Sequence, residues 1–465
     1  MFLTIAWALQ LLTGYGIRIC IARSLGVEAY GTYGVVMAVL LWIEVGVLSG
    51  FPTAIQRFAA AHPEKIRAII RYAGGFQFVY ILILFAGSFL AAPWVARILK
   101  DTSLEFLLRL ALVDIWFYGY YFIFLSLQNG LHHFGRQAAL IALYSVSKLI
   151  CVLVLVDVTR SVSGALIANI LGSVTGLSAA LVFGYLDLKQ RPKESLEPRH
   201  LLQFAVPVII YSLVIHLIYN LDLWMVKYFH GSMAAGYYSA AGAVSQIPYY
   251  LFFGLSSTVL PYLSGLLARG DMIEGRQLIG TACRILTIVA LPMAVFVTVY
   301  GKEIIMLIFG DAFSPAGHVL QILFWGMVLL AFLFLMTTFI NADNKPKLSL
   351  FFTFGTLIFC FLFNTLLIPR YGTTGAAVAT TAALLLGNLA GGTYILMHFR
   401  IRFGWMSMVR IGLASAVVFV MASVIRVEGW HLVWSGSIMM IVYAALLIGM
   451  KELNLKNAIH GVLNK

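Results

Sequence analysis

Six ionisable residues lie inside stretches of this sequence that are otherwise apolar: Arg18, Glu44, Asp114, Lys148, His216 and Asp222. A charge at the centre of a membrane helix costs about 2.5–3.5 kcal/mol on insertion scales, so such residues face a partner or a water-filled cavity. Arg18 and Lys148 are the cations of the set. A fixed guanidinium or ammonium neutralises phosphate oxygens well where water is partly excluded, and these two suit an anionic headgroup. Arg18, about one turn from the end of its stretch, can instead snorkel to the interface. Lys148 is about ten residues from either end, and its alternative is a structural ion pair with Asp114 or Glu44. Glu44, Asp114 and Asp222 can act as proton or sodium sites, because burial makes a proton an exchangeable ligand of a carboxyl. Each can equally serve as a counter-ion, the first reading for Asp114. His216, six residues before Asp222, reads as hydrogen-bonded structure ahead of a relay.

Other chemistry is thin. Cys20, Cys151, Cys283 and Cys360 have no paired spacing and no His clusters beside them, so neither a disulfide framework nor a metal site is expected, and no cofactor. Tyr118, Tyr120, Tyr121, Tyr237, Tyr238, Tyr249 and Tyr250 can stack on sugar rings, although most read as interfacial aromatics. Between the apolar stretches the loops are too short for a catalytic domain, and no acid, base or metal group gathers on a large loop. An enzyme is not expected.

The elements that must position these residues are membrane helices. Hydrophobic residues make up 62% of the 465 and charged residues 11%; the mean hydropathy is +0.95. Crossing the hydrocarbon core takes roughly 20 apolar residues, and fourteen stretches qualify, near 2–22, 33–55, 72–96, 104–128, 138–157, 161–186, 204–225, 234–262, 280–300, 318–340, 348–368, 372–398, 408–426 and 431–450. The first reads as an uncleaved span. The chain is therefore an all-α, polytopic membrane protein. In a soluble chain the net charge of +13 would point to nucleic acid. Here about two thirds of the Lys and Arg fall on one side when the loops alternate, which predicts cytoplasmic N- and C-termini in a plasma (inner) membrane. No nucleic-acid partner is expected.

The spans repeat. Gly26, Ala29, Gly31 and Tyr33 recur as Gly231, Ala234, Gly236 and Tyr238, an offset of 205. The turns Gln128 to Arg136 and Asn341 to Lys347 share Asn and positive charge at an offset near 212, and Ser163-Gly164-Ala165 recurs as Thr374-Gly375-Ala376 at 211. Six is even, so the copies share an orientation, as in parallel repeats. The expected organisation is an N-terminal lobe of six helices (1–187), a polar cytoplasmic linker (188–203), a second six-helix lobe (204–399), and two C-terminal helices with a cytoplasmic tail (400–465).

Along its length the sequence resembles the polysaccharide exporters, or lipid-linked oligosaccharide flippases, of the multidrug/oligosaccharidyl-lipid/polysaccharide exporter superfamily. The resemblance rests on Ala22 to Gly31, Gly50-Phe51-Pro52-Thr53 through Phe58, Asn220-Leu221-Asp222-Leu223, Gly236 to Ala241, and Leu366 to Gly372 followed by Gly375-Ala376-Ala377. The chain departs from the pattern in opening inside its first span, where members usually carry a short cytoplasmic amphipathic segment. The resemblance implies two lobes around a cavity open alternately to either side of the membrane. It also implies outward movement of an undecaprenyl-pyrophosphate-linked repeat unit for surface polysaccharide such as O-antigen, lipopolysaccharide or exopolysaccharide, and coupling in some members to a proton or sodium gradient. Membrane lipids and proteins of polysaccharide polymerisation and export are the implied partners. Two alternatives stand beside this: a multidrug or cation exporter of the same superfamily, against which the intramembrane cations weigh, and a membrane-bound polysaccharide polymerase or ligase.

Overall fold

A helix rises 1.5 Å per residue and crosses a core of about 30 Å in about 20 residues. That length organises the computed structural model, which describes residues 2–189, 198–401, 404–425 and 429–452. All regular elements among the described residues are helical. They are α1 (Phe2–Ser49), α2 (Phe51–Ala61), α3 (Ile66–Ile98), α4 (Ser103–Leu112), α5 (Asp114–Gly130), α6 (Phe134–Thr159), α7 (Val162–Lys189), α8 (Pro198–Ser245), α9 (Ile247–Ala268), α10 (Met272–Phe309), α11 (Ala316–Ala342), α12 (Pro346–Phe399), α13 (Trp405–Val424) and α14 (His431–Gly449).

Three of these helices are too long for one crossing: α1 and α8 have 48 residues and α12 has 54. Each is broken by a glycine outside helical geometry, Gly26 (φ 81°, ψ −179°), Gly231 (φ 81°, ψ −172°) and Gly372 (φ 58°, ψ −136°). Glycine reaches positive φ without the Cβ penalty that other residues meet, so the break ends one span and starts the next. Continued by α2 and α9, and with α4 and α5 forming one span, these elements account for the fourteen spans read from the sequence. The first two breaks are repeat-equivalent, which makes the offset of 205 a structural fact as well as a sequence pattern.

The chain divides into two compact units, Met1–Gly236 and Tyr237–Lys465. Of the linker expected at 188–203, residues 190–197 lie outside the described residues, as does the tail from 453 onward.

The core of the first unit is built from Phe51, Ile55, Ile66, Ile69, Tyr121, Leu127, Ile141 and Tyr144 on α2, α3, α5 and α6. At one end α1 and α8 cross so closely that side chains are excluded. A Cβ on Gly31 would overlap the Ser232 carbonyl, and a Cβ on Gly236 would overlap the Val27 carbonyl. Positions 27 and 232, like 31 and 236, are related by the repeat offset, so the contact is reciprocal. Beside it Lys227 Nζ pairs with Asp101 Oδ2 at 2.5 Å and also bonds Ser232 Oγ, while Asp101 Oδ1 accepts from Ser103 Oγ at 2.6 Å. Burial alone raises the Asp101 carboxyl, but the hydrogen bonds from Lys227 and Ser103 outweigh it and hold its pKa below the ordinary value.

In the second unit α11 packs along α12, and α10 carries α13 and α14. Tyr300 Oη donates to the Ile425 carbonyl at 2.6 Å and Tyr443 Oη to the Ile288 carbonyl at 2.9 Å. These hydroxyls satisfy backbone oxygens that lipid cannot. Glu452, 5% exposed, joins Arg284 at 2.8 Å and Arg410 at 3.4 Å, fastening the same three helices at their other end.

Candidate functional site

Within the first unit four helices bring polar side chains to one place. The second span of α1 supplies Tyr33 and Glu44; α5 supplies Asp114 and Tyr118; α6 supplies Tyr144 and Lys148; α7 supplies Asn169 and Ser173.

Asp114 owes its position to an irregularity. The Val113 N–H reaches back three residues to the Leu110 carbonyl at 3.2 Å while Val113 keeps helical φ and ψ, the tight turn that often marks a special site within a helix. Asp114 is 1% exposed and Glu44 is 2% exposed. Asn169 Nδ2 donates to Asp114 Oδ2, while Glu44 Oε1, Asp114 Oδ1 and Ser173 Oγ are buried without a hydrogen-bond partner among the described residues.

Lys148 is half-buried. Its Nζ donates to Tyr144 Oη at 3.1 Å and lies 5.4 Å from the centre of the same ring. Tyr144 is itself stacked on Tyr121 (5.1 Å between centroids, 23° between planes) and on Tyr118 (5.4 Å, 24°). A cation over aromatic faces is stabilised by their quadrupoles. The ammonium makes no direct ion pair with Asp114 or Glu44, the alternative the sequence left open, although both carboxyls feel its charge. One of its three donors is engaged by Tyr144; the other two are open to a ligand.

Arg18 sits half-buried in the first span of α1. Its charge reaches Tyr30 and Tyr33, and Tyr33 also faces Lys148 and Asp114. Of the five site residues read from sequence, four therefore belong to one neighbourhood: Arg18, Glu44, Asp114 and Lys148. Asp222 is on α8, five residues before Lys227; it is 4% exposed and its Oδ1 accepts from the Leu223 N–H at 2.8 Å. His216 Nδ1 lies 3.0 Å from the Ser212 carbonyl of its own helix.

Sequence reading missed Tyr33, Tyr144, Asn169 and Ser173. Two signals were available: Tyr144 stands four residues before Lys148, the spacing of one helix face, and Asn169 is an amide in the middle of an apolar span.

The cluster combines two half-buried cations, Arg18 and Lys148, with an aromatic platform and two buried acids. No group of three or more His, Cys, Asp and Glu suited to a metal is present among the described residues.

Comparison with known proteins places this arrangement in context. The family model described as "Polysaccharide biosynthesis protein" matches residues 20–318, more than half of the chain. An uncharacterized membrane protein of Methanocaldococcus jannaschii is 22% identical over 393 residues, covering 79% of this chain and 77% of that one. A probable low-salt glycan biosynthesis flippase, Agl15, of Haloferax volcanii is 23% identical over 205 residues, 44% of this chain and 43% of that one. Among solved structures, the lipid II flippase MurJ in an inward closed conformation superposes with a TM-score of 0.79 at 17% identity, covering 97% of this chain and 99% of its own. An inward-facing multidrug resistance transporter of the MATE family, of the MOP superfamily, gives 0.69 at 15% identity over 84% of this chain and 95% of its own. At these identities the structural likenesses establish the fold.

Proposed function

Since the chain belongs to the polysaccharide biosynthesis protein family, we propose that it is a transporter that flips an undecaprenyl-pyrophosphate-linked oligosaccharide repeat unit from the cytoplasmic to the outer leaflet by alternating access. The observation that carries the reading is Lys148: an ammonium held inside the membrane-spanning part of the first unit, against stacked tyrosines, with donors to spare. A pyrophosphate is the anion such a site suits. Arg18, whose charge meets that of Lys148 at Tyr33, is the second cation proposed for the headgroup. The lipid tail stays in the bilayer while the sugar crosses, so no bond is made or broken.

In this proposal Glu44 and Asp114 link the movement to a proton or sodium gradient, and Asp222 is a separate candidate for the same task. Localisation in the plasma membrane with both termini cytoplasmic, and cooperation with polymerisation and export proteins, belong to the same reading. It is supported by the family match, by a relative named as a glycan biosynthesis flippase, and by the shared fold with a lipid II flippase.

The test is made in cells lacking the gene. Lipid-linked oligosaccharide is expected to accumulate on the cytoplasmic leaflet, and wild type but not Lys148→Ala is expected to relieve it. Relief by both would discard the headgroup site and keep the flippase. No accumulation at all would discard the flippase and turn attention to efflux of organic cations.

A further inference from the structure

We infer that the first unit binds an anionic phospholipid of the bilayer, one of whose hydrocarbon chains fills a cavity between α1, α3 and α4 while its headgroup meets Arg97 and Lys100 at the end of α3. The inference does not depend on what the chain transports.

The cavity measures about 180 Å³, and its walls include Leu40 and Ile43 of α1, Ala92 and Val95 of α3 and Leu112 of α4. Small residues create the space. Positions 88, 91, 92 and 95 of α3 share one helix face, and Ser or Ala occupies three of the four, so α3 stands beside α1 and α4 without filling the gap. The lining side chains offer two polar groups. One of them, Trp42 Nε1, is spent on the Leu213 carbonyl at 3.1 Å, which leaves the Ser88 hydroxyl. An ordered water needs about two to four polar partners, whereas a dry cavity of about 150 Å³ takes up an apolar molecule the size of benzene. This lining therefore selects hydrocarbon. The bilayer supplies it along the same helix, since α3 turns Leu90 and Trp94 outward, 71% and 66% exposed.

Charge at the end of α3 selects the headgroup. The segment from Arg97 to Arg109 carries three cations and two acids. Both acids are engaged: Asp101 pairs with Lys227 at 2.5 Å, and Glu105 with Arg109 at 2.9 Å. Arg97 and Lys100 are left exposed with no carboxylate partner among the described residues. The Lys100 ammonium lies 4.3 Å from the centre of the Tyr228 ring, a contact that steadies it and leaves N–H donors for phosphate oxygens. Two uncompensated cations call for a ligand of net negative charge.

One molecule can satisfy both features. At 1.5 Å per residue, Val95 and Ser88 lie about 8 and 18 Å below Lys100 along the helix, which spans the depth of one leaflet's hydrocarbon, about 15 Å. A phosphate held at the helix end thus brings its own chain to the level of the cavity. Arg97 and Lys100 stand at a helix end, where the phosphates of resident lipids lie, and this favours a phospholipid over a transported lipid whose pyrophosphate is assigned to Lys148.

The experiment uses phosphatidylglycerol with a photoreactive diazirine midway along one chain, irradiated with the purified full chain in nanodiscs and mapped by peptide mass spectrometry. Label is expected at residues 88–95 and 108–112. Arg97→Gln/Lys100→Gln is expected to lower that labelling about tenfold, and Ser88→Leu/Ala91→Leu, which fills the cavity, by at least as much. Label spread evenly over the lipid-facing helices, or unchanged by these variants, overturns the inference. Should the cavity-filling variant not fold, the charge variant, altered only at exposed positions, decides. A phosphatidylcholine probe with the same chain is expected to label about tenfold less; equal labelling overturns the headgroup assignment. Displacement of the label by undecaprenyl phosphate but not by unlabelled phosphatidylglycerol gives the cavity to a prenyl chain and overturns the inference as well.

Discussion

The two units share a repeat and differ in what that repeat carries into the membrane. In the first, Glu44, Asp114, Lys148 and Asn169 meet. At the repeat offset of 205, position 44 becomes Tyr249; at 211, positions 114, 148, 169 and 173 become Trp325, Phe359, Thr380 and Leu384. Every charge is replaced by a neutral side chain. Trp325 Nε1 donates to Thr298 Oγ1 at 2.9 Å and Asn388 Nδ2 to the Leu329 carbonyl at 2.8 Å, so these two polar groups of the second unit join helices. Each intramembrane charge costs about 2.5–3.5 kcal/mol. The first unit retains three such groups, and the second has none at the equivalent places.

Where water reaches the helix ends the comparison changes. In the first unit Asp187 at the end of α7 accepts from Gln128 Nε2 at 2.6 Å and pairs with Arg136 at 2.8 Å, both contributed by the preceding turn region. In the second, His398 at the end of α12 and Lys345 of the turn both hold Asp343, at 2.8 and 2.7 Å. The same joint is kept with its polarity reversed. What a helix end needs is a matched pair, and either side can supply the acid; under the proposed function the interior site has no such freedom, because an anionic headgroup would fix the sign.

The largest effect that would test this asymmetry lies at Lys148. Lys148→Met is expected to lower flipping by about 10- to 100-fold, the worth of hydrogen bonds to a charged group, whereas Phe359→Ala at the equivalent position leaves it within about twofold; transport of a fluorescent lipid-linked sugar into proteoliposomes reads both. Comparable losses would remove the distinction between the units.

A second pair of substitutions concerns stability. Asp101→Asn leaves the Lys227 ammonium, 3% exposed, without its counter-charge, and because Asp101 is itself partly solvated the expected cost is about 2–3 kcal/mol, below the full penalty of a broken buried pair. Glu452→Gln, which strands two more exposed arginines, is expected to cost about 1 kcal/mol. Thermal unfolding in detergent followed by tryptophan fluorescence ranks the two.

Gly31→Ala and Gly236→Ala test the reciprocal crossing. Each adds a methyl against backbone that cannot move cheaply, and each is expected to destabilise by about 1–3 kcal/mol. Gly242→Ala, whose Cβ would meet nothing within 4 Å, is the matched control. A difference between Gly31 and Gly236 would show that the crossing is less symmetric than its geometry.

The smallest effect concerns acid. The Asp101 carboxyl is lowered in the folded state, so its contribution is present above the unfolded carboxylate value near 3.9 and is lost as pH falls through the still lower folded value. Unfolding followed between pH 5 and 2.5 is expected to steepen for the wild type at the acid end, with Asp101→Asn showing less of that dependence.

Much of the architecture was legible before any coordinates. The fourteen spans follow from apolar length, and Gly26 and Gly231 announced the repeat that their shared φ of 81° then displayed. The site was legible in part: Arg18, Glu44, Asp114 and Lys148 stood out as charges in apolar runs, as did Asp222, which is buried on α8. Sequence alone offered an ion pair between Lys148 and an acid, and the structure gives the lysine to Tyr144 instead.

What the sequence determined by itself is where the chain crosses the membrane and which residues cannot rest in lipid, because hydrocarbon thickness and the cost of burying charge act on each segment separately. The tertiary structure decided which of those residues meet. Side chains 70 and 104 positions apart, as Glu44 is from Asp114 and Lys148, are joined only when α1, α5 and α6 pack together, and no local rule of spacing records that packing.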